Sequence, residues 1–139
     1  MGSALLSRLK LANVQATAFD IAPAAMEAAR KEGAQTATSA KAVAQASTIV
    51  DVVVRTDQEV LDCTMGKDGI LEGAAPGTLV LLHSTIRPTT TKRIAEAAAE
   101  TRVYVIDACM TAVPSAVRQG GLTFLVGGQK ALSIVPNHT

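Results

Sequence analysis

The 139-residue sequence has no tryptophan, one tyrosine (Tyr104) and two phenylalanines (Phe19 and Phe124). With so few rings it cannot build the stacking platforms that grip single-stranded nucleic acid, nor an aromatic sugar cleft. An excess of one charge is also missing. Thirteen Lys and Arg stand against 12 Asp and Glu, so there is no basic stripe for a phosphate backbone and no acidic tail. No apolar run reaches the length of a bilayer span, and residues 4–11 are too short, and too broken by Arg8 and Lys10, for a signal sequence. Two cysteines, Cys63 and Cys109, make no disulfide framework and fit a reducing cytosol. There is no Cys/His cluster at metal-ligand spacing and no glycine loop ending in Lys-Ser/Thr. Nucleic acid, membrane and metal are therefore not expected as partners, and a cytoplasmic location is.

What remains is a chain that is 48% hydrophobic, rich in alanine and valine, of a length suited to one domain. It opens directly on a helical pattern, residues 3–12, with only Met1 and Gly2 before it. A strand is predicted over 14–19, ending at Asp20, and a helix from Pro23 to Gly33. A short strand at 34–37 and a helix capped by Ser39 follow. The run "TIVDVVV" at 48–54 reads as a strand buried on both faces, and "TLVLLHS" at 78–84 and "VYVIDA" at 103–108 as two more. Helices are predicted at 57–65 and from Thr89 to Glu100, with a short one near Leu71, and a last strand at 122–128. Such alternation implies an α/β fold, a doubly wound parallel sheet with helices on both faces.

In such sheets the ligand lies beyond the carboxyl ends of the strands, so the residues just after each strand are the candidates. Asp20 can take hydrogen bonds from ribose hydroxyls and would repel a 2′-phosphate; Ile21 stands where an arginine would favour NADP. Asp20 can equally cap the helix near Pro23. Ser84 and Thr85 could hold a carboxamide or a carboxylate, or cap the helix after Pro88. His83 reads as a boundary residue with no matched acid in view, and Cys63 and Cys109 as buried, inert thiols.

Four stretches, in this order, resemble the cofactor domain of the β-hydroxyacid dehydrogenases, the family of 3-hydroxyisobutyrate and 6-phosphogluconate dehydrogenases. "MGSALLSRL" is similar to the end of the family's glycine loop, G-x-G-x-M-G, and the helix after it. "FDIAPAAMEAARKEGA" resembles the unit that holds the adenosine ribose. "LVLLHSTIRPTTTKRIAEAA" resembles the strand, Ser-Thr and helix beside the nicotinamide. "VIDACMTAVPSAVRQGGLTFLVGG" is similar to D-A-P-V-S-G-G followed by G-x-L-T-x-x-V-G-G.

The resemblance implies a Rossmann-type sheet. Met1 and Gly2 would abut the pyrophosphate, with Gly2 as the third loop glycine packing the first helix onto its strand. Asp20 would hold the ribose, Val54 and Arg55 would flank the dinucleotide, and Thr85 would lie by the nicotinamide ribose. Ser84, Thr111, Ala112 and Val113 would face the substrate carboxylate. Arg55 and Cys109 stand where the family has proline, and Ala112 and Val113 where it has glycine. The first strand and its two glycines would precede Met1, and the catalytic lysine would lie in a helical domain beyond the C-terminus. Lys67, Lys92 and Lys130 do not match it.

Residues 1–139 are thus expected to form a single, incomplete NAD(P)-binding domain, with NAD favoured over NADP and the helical catalytic domain absent. The strands ending at Asp20 and Val54 would lack a shared neighbour and expose their edges. The chain alone would be marginal, or another segment or chain, a second copy included, would fill the gap. By resemblance the activity is oxidation of a small 3-hydroxy acid by hydride transfer, with this chain alone inactive. The alternatives are a non-catalytic nucleotide-binding or interaction module, or an inactive truncated product.

Overall fold

The computed structural model describes residues 1–128. The predicted alternation is present: α1 (Gly2–Leu11), β1 (Thr17–Ala18), α2 (Pro23–Lys31), β2 (Gln35–Thr36), α3 (Ala40–Gln45), β3 (Ile49–Val52), α4 (Asp57–Met65), α5 (Ile70–Gly73), β4 (Leu79–Leu82), α6 (Pro88–Glu100), β5 (Tyr104–Met110), α7 (Pro114–Arg118) and β6 (Phe124–Gly127). Local chemistry sets the boundaries. Proline occupies the first turns of α2 and α6, where its missing N–H has no acceptor to lose. The Ser39 hydroxyl accepts from the Ala42 N–H at 3.0 Å, and that of Thr56 from the Glu59 N–H at 3.1 Å. Gly33 ends the α2 turn at a φ of 85°, a conformation that favours glycine.

The strands form two sheets. β1 and β2 pair in parallel, and a four-stranded sheet runs β3-β4-β5-β6. No hydrogen-bonded ladder joins β1 to β3. Among the described residues, the strands leading to Asp20 and Val54 share no neighbour and each has an unpaired edge, as expected.

Two sequence expectations need correction. β6 runs antiparallel to β5, not parallel. The connection carries α7, a helix of five residues. At 1.5 Å per residue α7 advances about 8 Å. The seven-residue β5 it would have to retrace is about 23 Å long. The chain therefore turns at Gln119–Gly121 and comes straight back. Second, β3 is not buried on both faces: Val50 and Val52 are buried, whereas Ile49 and Asp51 are exposed.

Register explains this alternation. Val50, Val80 and Val105 lie side by side on one face, with Val52 and Leu82. They form one core with Val60 of α4, Ile70 of α5 and Ile94 and Ala98 of α6. The opposite face carries Ile49, Asp51, Leu79, Leu81, Tyr104 and Ile106. There α1 packs against α7, and Ala4, Val117, Ile106 and Ala108 are buried, but Ile49 and Tyr104 keep 56% and 44% of their surface. Gly73 lets α5 sit tight on α3: a Cβ there would lie 2.3 Å from the Lys41 carbonyl oxygen.

Candidate functional site

Apart from Met1 and Gly2, each sequence-predicted position follows the carboxyl end of a parallel strand. Asp20 follows β1, Val54 and Arg55 follow β3, Ser84 and Thr85 follow β4, and Thr111 to Val113 follow β5. What these residues do there differs from one to the next.

The start of α1 leaves the Gly2 and Ser3 N–H groups without an intrahelical acceptor, and the Met1 carbonyl accepts from Ala4 and Leu5 at 3.1 and 3.2 Å. Arg118 of α7 reaches this end and donates to Ser3 Oγ at 3.3 Å. A Cβ on Gly2 would meet nothing within 4 Å, so among the described residues Gly2 is not a close-packing glycine.

Asp20 does not cap α2. Its Oδ1 accepts from the Ala22 N–H at 2.8 Å, which shapes the turn ahead of the helix, and α2 begins without a side-chain cap. Among the described residues Asp20 Oδ2 has no protein donor, and the side chain faces solvent. A carboxylate steadied through one oxygen and open at the other can take a hydroxyl pair from outside.

Ser84 is different. Its hydroxyl donates to the Val54 carbonyl at 2.7 Å and accepts from the Val54 N–H at 3.2 Å. The single hydroxyl proton is already committed, so Ser84 cannot donate to a substrate carboxylate; it staples the end of β4 to that of β3. Thr111 is committed likewise: its hydroxyl and its N–H both reach the Thr123 carbonyl at 3.1 Å, closing β5 onto β6. Ala112 is half-buried, and Val113, 63% exposed, precedes α7. Thr85 stays exposed, its Oγ1 3.2 Å from Cys109 Sγ, which makes Cys109 a rim residue rather than a core thiol. Cys63 is the inert one: burial first, then the charges of Asp62 and Glu59, push its thiol up to about 11.

Sequence reading missed a carboxylate pair, Glu59 and Asp57, and the role of a histidine at this end of the sheet. Glu59 accepts from the Arg55 N–H at 2.8 Å, and the Arg55 side chain, 90% exposed, lies loosely 3.9 Å from it. Beside it, Asp57 Oδ2 accepts from the Thr90 hydroxyl and from the Arg87 N–H, tying the loop after β3 to that after β4. The Thr90 hydrogen bond first, then that of Arg87, holds the Asp57 carboxyl below its usual range. A carboxylate with a lowered folded pKa adds stability above the ordinary carboxylate range and loses it as pH falls through its folded value. The thermal midpoint of the native chain should therefore fall more steeply below about pH 4 than that of Asp57→Asn, in paired melts across an acid series.

The histidine is His83, which is buried rather than at a boundary, with Asp51 as its matched acid at 2.6 Å. Lys67 and Lys92 are exposed, and Lys130 lies outside the described residues. Among the described residues no three His, Cys, Asp or Glu side chains gather to hold a metal ion, and no helix is long and apolar enough to cross a membrane.

The NAD binding domain of 6-phosphogluconate dehydrogenase matches residues 1–134 as a family. The chain belongs to it. It is 34% identical to the NAD-dependent L-serine dehydrogenase of Pseudomonas aeruginosa over 128 residues, which cover 92% of this chain and 43% of that protein. Identity to the 3-hydroxyisobutyrate dehydrogenase of the same organism is 33%, with the same coverage. The structure of a Mycobacterium tuberculosis 3-hydroxyisobutyrate dehydrogenase with L-serine superposes with a TM-score of 0.87 at 26% identity, over 94% of this chain and 44% of that one. This NAD-binding domain of the hydroxyacid dehydrogenase family therefore spans less than half the length of the relatives it matches, and its fold is theirs.

Proposed function

We propose that this domain binds NAD in preference to NADP, as the cofactor half of an oxidoreductase that takes a hydride from a small 3-hydroxy acid. The observation that carries this is Asp20: a carboxylate just past β1, fixed through Oδ1 and without a donor on Oδ2 among the described residues. That arrangement suits a ribose diol and repels a 2′-phosphate. The N–H groups of Gly2 and Ser3, at the positive end of α1, suit a pyrophosphate. Val54 and Arg55 would flank the dinucleotide, and Thr85 is the rim hydroxyl best placed for the nicotinamide ribose. When bound, the nicotinamide supplies the hydride acceptor; the domain's own residues bind and orient it.

Substrate recognition within this chain rests on Ala112 and Val113, because the hydroxyl protons of Ser84 and Thr111 are taken. That same finding supports a second reading, a dinucleotide-binding module without chemistry of its own. Residues 1–139 then form one NAD(P)-binding domain, working in a reducing cytosol where both cysteines stay free.

The test is calorimetric titration with NADH and NADPH. Charge-assisted hydrogen bonds contribute about 1.5–3 kcal/mol, so Asp20→Ala should weaken NADH binding at least tenfold and NADPH far less. Equal losses for the two cofactors would exclude the ribose role.

A further inference from the structure

His83 closes β4, and only 2% of its side chain reaches solvent. Both ring nitrogens face acceptors. Nδ1 is 2.8 Å from the Ala108 carbonyl oxygen of β5, and Nε2 is 2.6 Å from Asp51 Oδ1 of β3. A carbonyl cannot donate, and neither can an ionised carboxylate. A neutral imidazole carries one N–H and would turn a lone pair on one of the two. Both contacts are satisfied together when the ring carries two protons and a positive charge. The Phe124 ring of β6 lies beside it, centroid to centroid 5.3 Å.

The two residues after His83 are the rim residues Ser84 and Thr85, and its own carbonyl accepts from the Met110 N–H at 3.4 Å, ahead of Thr111. We infer that His83 is a charged clamp and a positioning residue: doubly protonated, it fastens β3 to β5 across the end of β4 and so fixes the rim at Ser84–Thr85 and Met110–Thr111. Its bearing on cofactor binding rests on the dinucleotide reading above; its bearing on the rim does not.

The charged groups around it are few. β3 supplies Asp51, among the described residues the one charge that acts on its titration. β6 supplies only the Phe124 ring at this point, and Asp107 of β5 shares the opposite face with Val52 and Leu82. On the same face as His83, Arg118 of α7 is engaged with Ser3 and Arg8 of α1 lies against Gly120. Burial works hardest against the charge, but the hydrogen bond to Asp51, that to Ala108 and the Asp51 charge together hold the imidazole above its ordinary range. For a group whose folded pKa is raised, the contribution is complete below the unfolded value and is lost as pH rises through the folded one.

The test follows the cofactor-free 139-residue chain by NMR from acid to alkaline pH. The His83 ring should carry both protons at pH 6, and the Thr85 and Thr111 amides should shift with the same midpoint as the ring. In Asp51→Asn, which alters a partly exposed side chain and leaves the core intact, that midpoint should drop by about one to three pH units, the usual effect of losing an opposite charge at this distance. A ring with one bare nitrogen at pH 6, or rim amides that ignore its titration, would overturn the clamp. NADH titrations across the same range separate the two readings. Binding that weakens through the His83 midpoint, and earlier in Asp51→Asn, joins the clamp to the cofactor site. Binding indifferent to that midpoint removes the cofactor role. No binding at any pH removes the dinucleotide reading, and the rim amides still decide the clamp.

Discussion

Leu82→Ala is expected to destabilise the domain by about 2–5 kcal/mol, the range for emptying a buried leucine site. Leu82 is fully buried in β4, with Val52 beside it on β3 and the core side chains Val60 and Ile94 in the same cluster. Its neighbours belong to rigid strands and helices, so the cavity has little freedom to collapse. A small domain has about 5–15 kcal/mol in all, and this one has a sheet broken between β1 and β3. The variant should therefore be close to unfolding at 37 °C. Urea denaturation of native chain, Leu82→Ala and Leu81→Ala checks it. Leu81, one position along, lies half-buried on the opposite face and should cost distinctly less. Equal losses, or a loss below about 1 kcal/mol at Leu82, would mean that the core is not where the register puts it.

Ser84→Ala comes next in size. It removes at once the donor to the Val54 carbonyl and the acceptor of the Val54 N–H. Leaving partly buried backbone groups unpaired costs about 1–3 kcal/mol, and the loop at Val54–Arg55 would lose its fixed distance from Thr85. The expected result is lower stability together with weaker NADH binding. Thr85→Ala should separate the two: among the described residues its exposed hydroxyl meets only Cys109 Sγ, so stability should hold while affinity falls. Paired denaturation and calorimetry would show the split. A Ser84→Ala chain as stable as the native one would return Ser84 to the ligand.

Most elements were legible because their signals are local. Proline at first turns, Ser39 as a cap and apolar runs for β3 to β5 each act within a few residues. The positions past the strand ends were legible for the same reason, once parallel pairing was assumed. What stayed hidden depends on partners far along the chain. The Ser84 hydroxyl looks free until Val54, 30 residues earlier, is seen beside it. The Thr90 partner of Asp57 is 33 residues away. For His83 there was a readable signal: one carboxylate, Asp51, interrupts an otherwise apolar run, and a charge inside a strand core calls for a partner. The direction of β6 was misread because alternation alone says nothing about connection length, and α7 hid among loop-like residues.

The gap between the two sheets also bears on how the native chain comes apart. With no ladder crossing from β1 to β3, the segment from α1 to β2 adheres to the remainder through helix contacts, those of α1 with α7 above all. The described residues are then expected to open as two blocks of unequal strength, the weaker well short of global unfolding, which native-state hydrogen exchange would show as two levels of protection. That weaker block carries Asp20 and the Gly2–Ser3 amides. A bound dinucleotide touching it and the β4 rim together would weld the blocks into one, so ligand and tertiary order would rise and fall together.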